Sequence, residues 1–177
     1  PQGERDCASA SKAVAEDCGD GPVIGSGAPW RDGDTLYNCY FILANGSVSQ
    51  RLLKHELPNE TVFDEVRLYE PGPISGPYAL GPLRIGSPIC EDALHPDVAE
   101  TQAESGAQIL VVPNGSPYYR GKFDRRLGLT VQRTVETGLP LVYLNMVGGQ
   151  DDQVFDGASF VLNPGGALAV SLPAFEE

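Results

Sequence analysis

Basic residues are scarce in this chain: 12 Lys and Arg stand against 24 Asp and Glu, giving a formal charge of −12 and a pI near 4.5. Grip on a phosphate backbone needs clustered cations, so nucleic acid is not an expected partner. Long apolar runs are missing as well. No stretch approaches the roughly 18 consecutive apolar residues of a membrane span. The opening PQGERDCASASK has neither the basic flank nor the apolar centre of a signal peptide. No membrane partner and a cytoplasmic location are therefore expected. Cys7, Cys18, Cys39 and Cys90 form no CxxC pair and no ligand spacing with His55 or His95, so reduced thiols without a metal are expected. The GxSxG nucleophile elbow, the Walker A loop and GxGxxG are absent too, and nothing asks for a cofactor.

What is present suits one globular domain: 177 residues, 41% of them hydrophobic and 20% charged, can bury a core without staples. The Ala-rich ERDCASASKAVAEDCGDG predicts a helix stopped by Gly-Asp-Gly, and GPVIGSGAPW a short buried strand. LYNCYFILANGSVSQRLLK is the clearest local signal, two β-prone runs joined at Asn45-Gly46, a dipeptide suited to the positive φ angles of a tight hairpin over about 36–53. Residues 54–76 lack an apolar period and read as a long loop, a type that is usually functional or disordered. Beyond it, LRIGSPI, QILVVP and PLVYLNMV read as strands, DALHPDVAETQAESGA and KFDRRLGLTVQRTVETG as helices. GASFVLNPGGALAVSLP reads as a hairpin turning at Asn163-Pro164-Gly165-Gly166, and VGGQDD as a turn. Strands alternating with helices, plus hairpins, predict an α/β fold with a mixed sheet covered by helices.

Chemistry concentrates in GSPICEDAL. Cys90 stands where an apolar strand gives way to a helix, whose free N–H groups and dipole favour a thiolate and offer donors to an oxyanion. A small buried residue at a strand end fits the same position. Lys54, where the first hairpin meets the long loop, suits either a solvated surface role or stabilisation of negative charge on a substrate oxygen. Glu65 in VFDEVR is equally open.

The order of four segments is more specific than any one of them. KHELPNETVFDEVRLYEPG, PICEDALHPDVAE, ILVVPNGSPYYRGKFDRR and NMVGGQDDQVFDGASFVLN together resemble the nitrilase (carbon-nitrogen hydrolase) superfamily and, within it, the glutaminase domains of glutamine-dependent NAD synthetases, over about residues 22–177. The resemblance implies a nitrilase-like α-β-β-α sandwich and a Glu-Lys-Cys triad. In it Cys90 attacks the carboxamide carbon of glutamine, Lys54 stabilises the oxyanion, and Glu65 is the supporting glutamate beside that lysine. Glu91, Phe63 and Ser116 match positions lining the glutamine pocket.

This sequence departs from that pattern in three places. Asn59-Glu60-Thr61 replace the usual Asn-Tyr-Gly, placing the Glu60 carboxylate near the substrate, and Met146 and Asp152 replace Gln and Glu. The family's opening βαβ segment, with its catalytic Glu, has no counterpart before Pro1, and neither Glu4 nor Glu16 matches that base. The expectation is a single, partial domain over 1–177, N-terminally truncated and separated from a synthetase domain. Loss of a general base costs about 10²–10⁴ in rate, so the chain alone is expected to be a poor enzyme, with Glu60 as the replacement its loop offers. A non-catalytic remnant or assembly module, or a hydrolase of another small amide or carbamoyl compound, remains the alternative. Self-association as a dimer or larger is also expected, through an exposed sheet edge.

Overall fold

The computed structural model describes residues 2–59 and 62–176, with side chains from Cys7 onward. It comprises two compact units, Pro1–Ser75 and Gly76–Glu177.

In the first unit, α1 (Gln2–Cys18) packs on an antiparallel sheet of β1 (Ile24–Asp32), β2 (Thr35–Ala44) and β3 (Ser47–Leu53), in the order β1-β2-β3. Alternation along β2 turns Cys39, Phe41 and Leu43 to one face, where they meet Ala15 of α1, with Trp30 and Val48 at the margin. Asn45 and Gly46 adopt φ of 52° and 71°, the left-handed pair of a tight hairpin, as the dipeptide predicts. The segment read as a short buried strand differs from its expectation. β1 runs nine residues, pairs with β2 from Ile24↔Leu43 to Asp32↔Thr35, and is only partly buried. Its Pro29 is tolerated because β1 lies at the sheet edge, where a missing N–H breaks no inner ladder.

The described residues of 54–76 are irregular apart from a 3₁₀ turn at Glu65–Arg67, but they are tied down. Gly72 N–H donates to the Lys54 carbonyl at 2.9 Å, Glu70 N–H to that of Leu36 at 2.9 Å, and Leu53 N–H to Ser75 Oγ at 3.2 Å. A Cβ on Gly72 would fall 2.3 Å from that of Leu53, so only glycine lets the returning chain close on β3.

In the second unit, six strands follow the order β11-β10-β7-β6-β5-β4: β4 (Tyr78–Leu80), β5 (Leu83–Gly86), β6 (Ile109–Asn114), β7 (Leu141–Asn145), β10 (Phe160–Leu162) and β11 (Leu168–Ser171). β5, β6 and β7 are parallel and the outer pairs antiparallel, which makes the sheet mixed. The helices α2 (Pro96–Glu104) and α3 (Lys122–Thr137) supply the crossovers. Leu110, Val112, Leu141, Tyr143, Phe160 and Leu162 form one buried face with Ala93 and Ala99, roofed by Phe123, Leu127 and Val131 of α3. The stretch read as a turn, VGGQDD, opens a separate two-stranded ribbon, β8 (Val147–Gln150) with β9 (Gln153–Asp156), the reversal falling at Asp151-Asp152.

Candidate active site

In the first unit, Lys54 follows the last residue of β3 and is 2% exposed. Its Nζ donates to Glu65 Oε1 at 2.7 Å, and Asn38 Nδ2 of β2 donates to Glu65 Oε2 at 3.2 Å. The ammonium is fixed at both ends, since the Lys54 backbone N–H donates to the Asn38 carbonyl at 2.9 Å. Lysine heads are normally kept in water, so a buried one held by a carboxylate is a positioned charge rather than a solvated one. Phe63 lies half-buried on the same loop. Glu60 lies outside the described residues.

In the second unit, Cys90 is partly buried and takes φ of 51°. A left-handed conformation at a non-glycine residue costs roughly 1–3 kcal/mol and persists only where its surroundings enforce it. Asp92 does so here: Oδ2 accepts the Ile89 N–H at 2.9 Å, and the Asp92 N–H donates to the Ile89 carbonyl at 3.1 Å, closing the turn around Cys90. The α-helix expected to begin here is corrected. Cys90–Leu94 form a 3₁₀ turn, and α2 starts at Pro96, because the residue before a proline avoids the α region and His95 is extended at φ −108°, ψ 149°. The N–H groups near the sulfur therefore belong to a tight turn, not to a helix dipole. Glu91 is largely buried, and its Oε1 lies 3.5 Å from His95 Nε2 one turn on.

Ser116 proves to be part of a buried polar network that sequence reading did not reveal. Arg126 of α3, 2% exposed, donates through Nη1 to both Asp156 oxygens at 2.8 and 3.0 Å, through Nε to Ser116 Oγ at 3.2 Å, and through Nη2 to the Ser116 carbonyl at 2.7 Å. Asn145 closes the loop from β7: its Oδ1 accepts the Ser116 N–H at 2.8 Å and its Nδ2 donates to the Gly157 carbonyl at 3.1 Å. Burial first and the charge of Cys90 second hold the phenol of Tyr143, two residues earlier, well above the usual tyrosine range. Asn38, Asp92, Arg126, Asn145 and Asp156 are the contributors missed. The one local signal was the run of charge in KFDRRLGL, where the buried period of α3 falls on an arginine.

Thiol chemistry is separated by environment. Burial pushes the Cys39 thiol up to about 12. At pH 8 only about one part in ten thousand of it is thiolate. Iodoacetamide is expected to leave Cys39 unmodified in the folded chain and to reach it in urea; peptide mass spectrometry checks this, and native-state labelling of Cys39 contradicts it.

The second unit is α/β with a mixed sheet, and a strained cysteine stands four residues beyond its parallel strand β5. The chain belongs to the carbon-nitrogen hydrolase family, whose profile matches residues 14–177. It is 58% identical over 173 residues to the glutamine-dependent NAD(+) synthetase of Rhodobacter capsulatus, a match covering 98% of this chain and 31% of that protein. It superimposes with a TM-score of 0.91 and 31% identity on the glutamine-dependent NAD+ synthetase of Acinetobacter baumannii, covering 98% of this chain and 33% of that one. A carbon-nitrogen hydrolase from Helicobacter pylori G27 shares the fold at a TM-score of 0.83 and 23% identity, covering 98% of this chain and 65% of that one. This chain thus spans about a third of the length of the synthetases it matches. The nitrilase-like α/β fold with a mixed sheet implied by the sequence motifs stands, and the chain is similar to glutamine-dependent NAD synthetases over the part of them that it spans.

Proposed function

We propose that this chain is the part of a glutamine-dependent enzyme that releases ammonia from glutamine. The Cys90 sulfur attacks the carboxamide carbon, the tetrahedral oxyanion collapses with loss of ammonia, and water hydrolyses the resulting thioester to glutamate and free thiol. The observation that carries this reading is the strained turn at Cys90, a left-handed conformation at a partly buried non-glycine residue. Lys54 stabilises the oxyanion, and Glu65, itself steadied by Asn38, holds the ammonium ready before charge develops. Glu91, Phe63 and Ser116, with Glu60 outside the described residues, are the substrate-binding side chains of this reading. A family profile that runs across both compact units supports their acting as one catalytic domain over 1–177.

The partners follow from the same reading: glutamine as substrate, a synthetase domain as the consumer of ammonia, and a cytoplasmic setting. The acidic charge weighs against nucleic acid. Among the described residues, no helix is long and apolar enough to cross a membrane. Self-association through the edge strand β11, where Leu168 and Val170 stand exposed, belongs to this reading too.

A glutamine-shaped diazoketone tests the chemistry without requiring turnover. It is expected to add once per chain, on Cys90, with glutamine protecting and Cys90→Ala abolishing the adduct. Labelling spread over Cys7, Cys18 and Cys90, or insensitive to glutamine, overturns the proposal. Protection by a different small amide but not by glutamine would reassign the substrate.

A further inference from the structure

We infer that Asn38 is a positioning residue for the Lys54–Glu65 pair: its amide holds the Glu65 carboxylate as a fixed anion facing the ammonium, and so keeps Glu65 out of the proton-transfer steps. The inference rests on the reading of Lys54 as the oxyanion partner in the chemistry of Cys90. Sheet register places the groups. Cys39 of β2 stands opposite Leu53 of β3, so the next pair along is Asn38 and Lys54, and the Lys54 N–H closes it on the Asn38 carbonyl at 2.9 Å. Cys39 lies in the cluster with Ala15 of α1, and Leu53 packs against that cluster. Their neighbours Asn38 and Lys54 therefore point to the opposite face, side by side across the two strands. Glu65 meets both of them there from its 3₁₀ turn.

Each Glu65 oxygen meets a group that can only donate. Lys54 Nζ gives a hydrogen to Oε1 at 2.7 Å, and Asn38 Nδ2 gives one to Oε2 at 3.2 Å. Neither an ammonium nor an amide NH₂ has an acceptor to offer. A proton arriving on either oxygen would face a donor and break that hydrogen bond. The same logic fixes the orientation of Asn38, because turned over it would present Oδ1 to the carboxylate, acceptor against acceptor. Were the Asn38 donor absent, Oε2 would be open to a proton while Oε1 still held Lys54. A neutral carboxyl grips an ammonium less firmly than an anion does. The side chains of Lys54 and Glu65 are 2% and 14% exposed, so little water competes for the place that Asn38 fills. One residue thus holds both partners, Lys54 through its backbone carbonyl and Glu65 through its side chain.

The test is a mutant cycle on acylation of Cys90 by a chromogenic γ-glutamyl ester in the full chain, with fluorescence of Trp30 reporting the fold of the same unit. Asn38→Leu keeps the size of the side chain and the backbone carbonyl while deleting the donor. It is expected to slow acylation about tenfold with the ester's apparent binding unchanged, in line with loss of a hydrogen bond to an ionised group. Asn38→Asp sets two carboxylates face to face and is expected to be slower still. Adding Glu65→Gln to it restores the alternation, since the new amide donates to the new carboxylate and keeps its oxygen on Lys54. The double variant is therefore expected to be about tenfold faster than Asn38→Asp alone. For a residue that serves packing alone, the two losses would multiply. Multiplied losses, or Asn38→Leu acylating at the parent rate, overturn the inference and leave Lys54 and Cys90 in their roles. A loss of about 10³-fold or more in Glu65→Gln alone also overturns it, because that is the cost of removing a base. Chromophore release that is absent from the parent, or that survives Cys90→Ala, removes the functional reading and this inference with it. Should Asn38→Asp alter the Trp30 signal, the rate of Asn38→Leu decides.

Discussion

Asp156→Ala is expected to lower the stability of the 76–177 unit by about 3–5 kcal/mol, a large share of what a domain has to lose. The Arg126 guanidinium cannot shed its charge, is 2% exposed, and would keep only serine and carbonyl partners once both Asp156 contacts are gone. The cost is that of a stranded buried cation rather than the net worth of the pair. The double variant Arg126→Met with Asp156→Leu should therefore recover much of the loss, though not all, because the Ser116 and Pro117 carbonyls lose donors from Arg126. Urea unfolding followed by far-UV circular dichroism, with hydrogen exchange of α3 amides, measures it. Fluorescence alone would mislead, since the single tryptophan, Trp30, sits in the other unit. A loss below about 1 kcal/mol would mean that water reaches Arg126 and that the pair is not a closed one.

Lys54→Met is expected to slow acylation of Cys90 by a chromogenic γ-glutamyl ester about 10²–10³-fold, the usual cost of removing one preorganised oxyanion partner. The ammonium acts on charge that develops only in the transition state, so the loss should fall on the acylation rate and leave the ester's apparent binding nearly unchanged. Glu65→Gln should do less harm. It keeps an oxygen for Lys54 Nζ to bond at the place where the carboxylate now lies 2.7 Å away, and it loses only the charge that holds the ammonium still. Stopped-flow release of the chromophore separates the two variants. Equal rates for Lys54→Met and the parent would remove Lys54 from the chemistry and leave it as a buried structural partner of Glu65.

The parts of the fold that sequence reading recovers are those written into adjacent residues. Asn45-Gly46 dictates its own φ angles, Gly138 ends α3 in the left-handed conformation, and Asn163–Gly166 reverse the chain between β10 and β11. β1 is misread because its burial is set by β2 and α1, not by its own composition, and Pro29 hides a nine-residue strand. β5 is read in LRIGSPI, whereas β4 and the ribbon β8–β9 escape because three- and four-residue strands carry too little alternation to show a period. At the site, Lys54 and Glu65 are eleven residues apart across a loop, and only the family resemblance pairs them. Arg126 and Asp156, thirty residues apart, are joined by the packing of α3 and β9, which no local pattern encodes.

The left-handed backbone at Cys90 has a consequence for descent. Glycine is the one residue that would occupy φ of 51° without strain, and a tight turn beside a buried core is a place where drift toward glycine meets little resistance. A cysteine there is thus held against the preference of the fold itself. In any lineage freed from the need for a sulfur, this position should be among the first to change, ahead of Asp92, whose bonds to Ile89 the turn needs whichever residue it carries.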